Sequence, residues 1–138
     1  MRKILVVTFV ELFLIIPFAC NDIDLFVDCD SCYLEKPKST TLYIDLTIND
    51  ENNYIPLTIY SGTMEDGVII KEVLTNEKNY PVKVDLDNYY TVQANYNSNG
   101  KVIHVINGRL TTTKRINNIC NNPCYIITGD RIDARLKY

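Results

Sequence analysis

The chain has 138 residues, with 14 basic and 17 acidic side chains, one histidine, five cysteines and no tryptophan, for a formal net charge of −3. That length is one domain's worth, large enough to bury a real core. After residue 19 the longest basic cluster is Lys114-Arg115, so the electrostatic footprint that nucleic-acid binding needs is missing and that class of partner is excluded.

The first element is a leader. Met1-Arg2-Lys3 is a short basic start, and an apolar run follows from Ile4 to Ala19. The run falls short of the roughly 20 residues a membrane span needs. Glu11 in its middle would cost about 2.5–3.5 kcal/mol at a bilayer centre. The segment therefore reads as a secretory signal peptide over residues 1–19.

Pro17-Phe18-Ala19-Cys20 resembles the lipobox of bacterial lipoproteins, although that family prefers Leu where Pro17 stands. The resemblance implies that Cys20 becomes the first mature residue and carries acyl chains, palmitate among them, which together give stable anchoring. Asn21-Asp22-Ile23-Asp24 resembles the acidic export signal of surface-displayed lipoproteins of the Bacteroidota type, and reads equally as a solvated tether. Both readings imply a protein held at the outer membrane by its lipid, on the periplasmic or the cell-surface face. The chain then divides into a signal peptide (1–19), a lipidated cysteine with an acidic tether (20–32) and a folded domain (33–138).

Four cysteines remain, Cys29 and Cys32 near the start and Cys120 and Cys124 near the end. An even count in an exported chain points to disulfides. Two cysteine pairs also fit a thiolate zinc site, but an oxidising compartment favours bridges, so no metal is assigned. Asp28 and Asp30 flank the first pair and would raise its thiol pKa values, against redox catalysis. The first pair precedes the first strand and the second pair precedes the last. Parallel placement of those strands would bring the clusters to one end and favour bridges between them, each closing a loop of about 90 residues.

From Thr40 the chain alternates. Leu42, Ile44, Leu46 and Ile48 share one face, a half-buried strand. After a turn at residues 49–53, Ile55, Leu57 and Ile59 alternate again, with Pro56 marking a sheet edge or a bulge. Residues 61–67 form a loop with two glycines, and Val68 to Leu74 is a strand without clear facing. Val82, Val84 and Leu86 form the next inward series, and Tyr90 to Tyr96 the one after. Asn97-Ser98-Asn99-Gly100 is a hairpin turn, and Asn107-Gly108 carries a second two-residue hairpin signal, with Leu110 to Ile116 returning. Tyr125 to Thr128 and residues 132–138 are extended, with a tight turn or bulge at Gly129-Asp130.

Seven to eight short strands predict an all-β, antiparallel β-sandwich. The stretch VKVDLDNYYTVQANY, residues 82–96, resembles the segment of immunoglobulin-like and transthyretin-like sandwiches in which a tyrosine begins the strand after a corner. That implies a buried Tyr90 whose hydroxyl bonds back to the main chain, with Tyr89 outside.

No catalytic constellation is visible. His104 sits on a strand between Ile103 and Val105 without a partner motif. Asp85, Asp87, Glu65 and Asp66 read as solvated turn residues, too sparse for a calcium loop. No cofactor motif is present. Tyr43, Tyr54 and Tyr60 should point outward, where aromatic rings stack on sugars, anchor proteins or simply pack across strands. The chain is expected to be a non-enzymatic binding or assembly module with a glycan or envelope-protein partner. Ser61-Gly62 resembles the Ser-Gly loop of lysozyme-inhibitor lipoproteins and gives an alternative, an inhibitor of a host hydrolase.

Overall fold

The structure is a computed structural model that describes residues 27–137. The leader, Cys20 and residues 21–26, on which the anchoring expectation falls, lie outside the described residues. A single 3-10 turn, Cys29–Ser31, precedes eight strands: β1 (Ser39–Asp45), β2 (Ile55–Ser61), β3 (Val68–Thr75), β4 (Asn79–Asp85), β5 (Asn88–Ser98), β6 (Lys101–Ile116), β7 (Cys124–Thr128) and β8 (Arg131–Asp133).

The strands form two sheets, ordered β4-β1-β8 and β3-β2-β5-β6-β7. This is an all-β sandwich of eight strands. Every neighbouring pair runs antiparallel except β1–β8, which is parallel. Period-two alternation decides what lies between the sheets. Leu42 and Ile44 come from one sheet, Leu57, Ile59, Val92 and Ala94 from the other, and all are buried. Each such aliphatic side chain contributes about 1.5–3 kcal/mol when fully buried.

The corner between β4 and β5 forms as its sequence implied. Asp87 takes a left-handed φ of 60°, and the chain passes from the smaller sheet to the larger. The Tyr90 hydroxyl donates to the main-chain oxygen of Asp85 at 2.9 Å. Tyr90 is only 3% exposed, whereas Tyr89 is 41% exposed. The Asp87 carboxylate accepts from Lys36 Nζ at 2.7 Å and from Thr112 Oγ1 at 2.6 Å. The hydrogen bond from Lys36 holds that carboxyl below its ordinary range, and Lys36 is correspondingly raised.

Tyr96 is a second structural tyrosine. Fully buried, it donates to Ala134 O at 2.7 Å and accepts from Thr47 N at 3.1 Å. One hydroxyl thereby satisfies the chain leaving β1 and the chain leaving β8, and burial raises its pKa. Asn52 acts similarly at the neighbouring turn. Its amide nitrogen donates to Asn97 O and its amide oxygen accepts from Asn97 N.

Three expectations are corrected. First, Asn107-Gly108 is not a turn, because β6 runs unbroken from Lys101 to Ile116. Gly108 lies opposite Thr91, and a Cβ there would stand 2.6 Å from the Tyr89 hydroxyl. Glycine serves close approach here, not reversal. The Asn107 side chain is occupied as well: its nitrogen donates to Asp133 O and its oxygen accepts from Gly108 N. Second, the strand carrying Pro56 is interior, between β3 and β5. The ladder to β5 starts only at Leu57, so the missing proline donor costs that ladder nothing. The register shift falls at Ile59/Tyr60 against β3, and β3 is an edge strand exposed along most of its length, which is why its facing was unclear. Third, Gly129-Asp130 carries the chain from the larger sheet to the smaller. Gly129 has φ +76°, and a Cβ would run into Leu110 O.

Candidate functional site

Two bridges close one end of the sandwich. Cys29 pairs with Cys120 and Cys32 with Cys124, with Cα–Cα distances of 5.7 and 5.6 Å. The expected pairing between clusters is present, but its cause differs. Parallel β1 and β8 do not adjoin the cysteines, since Cys124 opens β7, which pairs with β6. The clusters meet because Tyr33 and Tyr125 form an antiparallel bridge, with main-chain hydrogen bonds of 2.8 and 2.7 Å. Residues 29–32, counted with the tether in sequence, are thereby fastened to the domain.

The outer face of the larger sheet carries a shallow cleft of about 440 Å³, lined by Thr63, Met64, Glu65, Tyr89, Thr91, Ile106, Asn107 and Gly108. Its floor is local sequence logic. Alternation puts Tyr89 and Thr91 outward, and the bare backbone of Gly108 lets the Tyr89 ring lie across β6. Its rim is the loop between β2 and β3, which is pinned at its base. Thr91 Oγ1 donates to Gly62 O at 2.8 Å, and Gly62 N donates to Tyr89 O at 2.7 Å. Gly67 N closes the loop onto Thr63 O at 2.8 Å. An aromatic ring, a thioether and an aliphatic chain are thus ringed by hydroxyl, amide and carboxylate groups. Such a surface has the chemistry to suit an amphipathic group, and its lining residues supply no nucleophile with an adjacent base.

No protein-family model, curated protein or solved structure matches this chain. The site is therefore read from its own geometry.

Beside the cleft, His104 Nδ1 stands 2.6 Å from Asn95 Oδ1 and 3.3 Å from Gln93 Nε2. The shorter contact requires Nδ1 to carry the proton, because the carboxamide oxygen only accepts. His104 is thus a strand residue held by Asn95, which lies directly opposite it, while Gln93 Nε2 donates to the same Asn95 oxygen.

The three tyrosines named from sequence do not converge. Tyr60 sits opposite Thr91, at the margin of the cleft. Tyr54 is exposed just before β2, six residues along the chain. Tyr43 belongs to the other sheet, opposite Arg131, whose guanidinium lies 5.8 Å from the ring centroid while bonding Asp45 at 2.7 Å. Ser61 and Gly62 do not project either. Ser61 Oγ accepts from Asn88 Nδ2 at 2.6 Å, and Gly62 is held at both its main-chain groups.

A second shallow cleft, of about 450 Å³, runs between the first half of β6 and the tail after β8, from Ile103 to Asn107 and Asp133 to Lys137. Asp133 there is paired by Arg135 at 2.8 Å and Lys137 at 3.5 Å. The hydrogen bond from Arg135 holds its carboxyl far below the ordinary range. No helix among the described residues is long and apolar enough to cross a membrane.

The sequence did not single out Met64 or Ile106, and it read Gly108 as part of a turn. The available signal was a glycine inside an otherwise alternating strand, which marks close approach as readily as a turn.

Proposed function

We propose that this chain is a lipid-anchored protein of a bacterial outer membrane, and that it is a non-enzymatic module which binds another envelope protein through the outer face of its larger sheet. The observation that carries the reading is the side-chain set on that face. Ile69 and Leu74 from β3, Tyr89 from β5, and Val102, Ile106 and Leu110 from β6 are all exposed. Their register puts them on the same side of the sheet. Apolar side chains gathered on one face mark an interaction surface, unlike the same residues scattered singly. The anchor is supported by the leader that ends in Ala19-Cys20.

A glycan is the second reading. It is favoured by the Tyr89 ring with Thr63, Glu65 and Asn107 around it, since aromatic faces flanked by polar groups stack on sugars. The hydrolase-inhibitor alternative has less support, because Ser61 and Gly62 are tied into the sheet.

Cross-linking on native membranes followed by affinity capture tests the main reading, with Ile106→Glu and Leu110→Glu as paired variants. Both positions are exposed, so the fold tolerates them. A partner lost by the variants is the expected result, and the same partners with and without the substitutions would reject the surface. The anchor has its own test. A fatty-acid probe should label the wild-type protein and not Cys20→Ala, and an unlabelled wild-type protein would reject lipidation.

A further inference from the structure

The bridged end of the sandwich holds more sulfur in one place than a single disulfide would. The Sγ atoms of Cys32, Cys120 and Cys124 all lie within 4.8 Å of one another, although they belong to two different bridges. Cys29 supplies the fourth sulfur, bonded to Cys120. In a tetrahedral zinc–thiolate centre with Zn–S near 2.3 Å, neighbouring sulfurs sit about 3.8 Å apart. The contacts of Cys120 with Cys32 and Cys124 are therefore at most about 1 Å longer than that spacing, while the bonded Cys32–Cys124 pair would have to open to it.

The chain segments that carry them also suit a metal. Cys29-Asp30-Ser31-Cys32 and Cys120-Asn121-Asn122-Pro123-Cys124 have the short ligand spacings found in structural zinc sites. The first is shaped independently of its sulfurs. Asp28 accepts from Asp30 N at 3.0 Å and from Ser31 Oγ at 2.8 Å, which holds the 3-10 turn. The Asp28 carboxylate is thus committed to the turn. The Tyr33–Tyr125 bridge keeps the two segments together without any sulfur–sulfur bond. The main buried cluster of the core contains none of these cysteines, so opening the bridges removes no side chain from its packing.

We infer that the four cysteines have a second, reduced state in which one zinc ion, held by Cys29, Cys32, Cys120 and Cys124, replaces both bridges. A phosphine reductant converts the bridges in balance. Each disulfide takes two electrons from phosphorus and two protons from water, whose oxygen leaves in the phosphine oxide. Zinc then binds four thiolates and releases four protons. The same two chain segments stay joined in either state. The inference does not rest on the envelope reading, and its test reads metal rather than lipid or partner.

The experiment reduces the purified protein anaerobically with a water-soluble phosphine and titrates it with Co²⁺, then with Zn²⁺, while circular dichroism follows the fold. The expected result is a tetrahedral cobalt–thiolate spectrum that saturates at one equivalent and is abolished by zinc. The oxidised protein should give none, and Cys29→Ser and Cys124→Ser should each lose the four-sulfur spectrum. If reduction alone unfolds the domain, restoration of its β signal by one equivalent of zinc supports the site equally. A reduced, folded protein without saturable binding would overturn the inference. So would an unfolded one that zinc does not restore, or an unchanged spectrum in either serine variant.

Discussion

Removing the bridges singly and together should reveal that their contributions do not add. Cys29–Cys120 and Cys32–Cys124 span 91 and 92 residues, and on the loop-entropy account either alone contributes about 4.5 kcal/mol. With one in place, however, the other closes only the small ring formed by residues 29–32 and 120–124. That ring of about nine residues is worth about 2.5 kcal/mol on the same account. Cys29→Ala with Cys120→Ala should therefore cost about 2.5 kcal/mol, and so should Cys32→Ala with Cys124→Ala. All four substitutions should cost about 7 kcal/mol, well above the sum of the two. Urea melts under non-reducing conditions measure this. A slope of about 1–2 kcal/mol per molar puts the midpoint shift for one bridge at about 1–2.5 M, and the slope itself should rise as cross-links are lost from the unfolded chain. Two large and additive losses would refute the argument, because the bridges would then be acting through separate native contacts and not through one shared loop.

Tyr96→Phe leaves a half-buried donor at Thr47 and a buried acceptor at Ala134 without partners, and should cost about 2–4 kcal/mol in chemical denaturation. Tyr90→Phe strands only Asp85 O and should cost about 1–2 kcal/mol, while Tyr89→Phe should stay within about 0.5 kcal/mol. The raised pKa of Tyr96 has a sign: its contribution is complete below the unfolded value near 10 and is lost as pH rises through the folded value. In an absorbance titration its phenol should ionise last, together with unfolding. Asp87 and Asp133 are lowered, so their contribution is present above about pH 4 and disappears as pH falls through their folded values. Thermal melts from neutral to acid pH should show that loss, less steeply in Asp87→Asn. Gly129→Ala forces a side chain into φ +76° against Leu110 O and should lower stability by more than about 1 kcal/mol. Gly108→Ala meets only the movable Tyr89 ring, so calorimetry should show a smaller loss while Tyr89 fluorescence changes.

What was legible in the sequence was whatever alternation controls. Tyr90 faced inward because Val92 and Ala94 do, and its corner bond followed. Alternation is silent about order within a sheet. It could not place Pro56 on an interior strand, since the ladder that would have excluded proline begins one residue later. At Asn107-Gly108 a local turn signal outweighed a tertiary fact, namely that the Tyr89 ring occupies the space where a side chain would go. Tyr96 read only as one more inward residue, because Thr47 and Ala134 lie 49 and 38 positions away. The cleft draws on β5, β6 and the loop after β2, so no single window of sequence contained it. The cysteine pairing was anticipated through an incorrect strand adjacency and is produced by a bridge at Tyr33, where no periodic pattern exists.

β8 is three residues long, yet it and the tail after it supply Ile132, Ala134 and Leu136 to the buried core and the acceptor for Tyr96. Its partner is β1, which precedes the other described strands in the chain. While the chain is being made, β1 can acquire β4 on one side but nothing on the other, so Leu42 and Ile44 wait beside an open edge until β8 appears. The domain consequently completes its core only after β8 has been made, and its closure joins residues far apart in the chain, which belongs to the slow end of the folding range. Anything that held the growing chain extended would meet little competition from early folding, and the order of the strands itself writes that delay into the molecule.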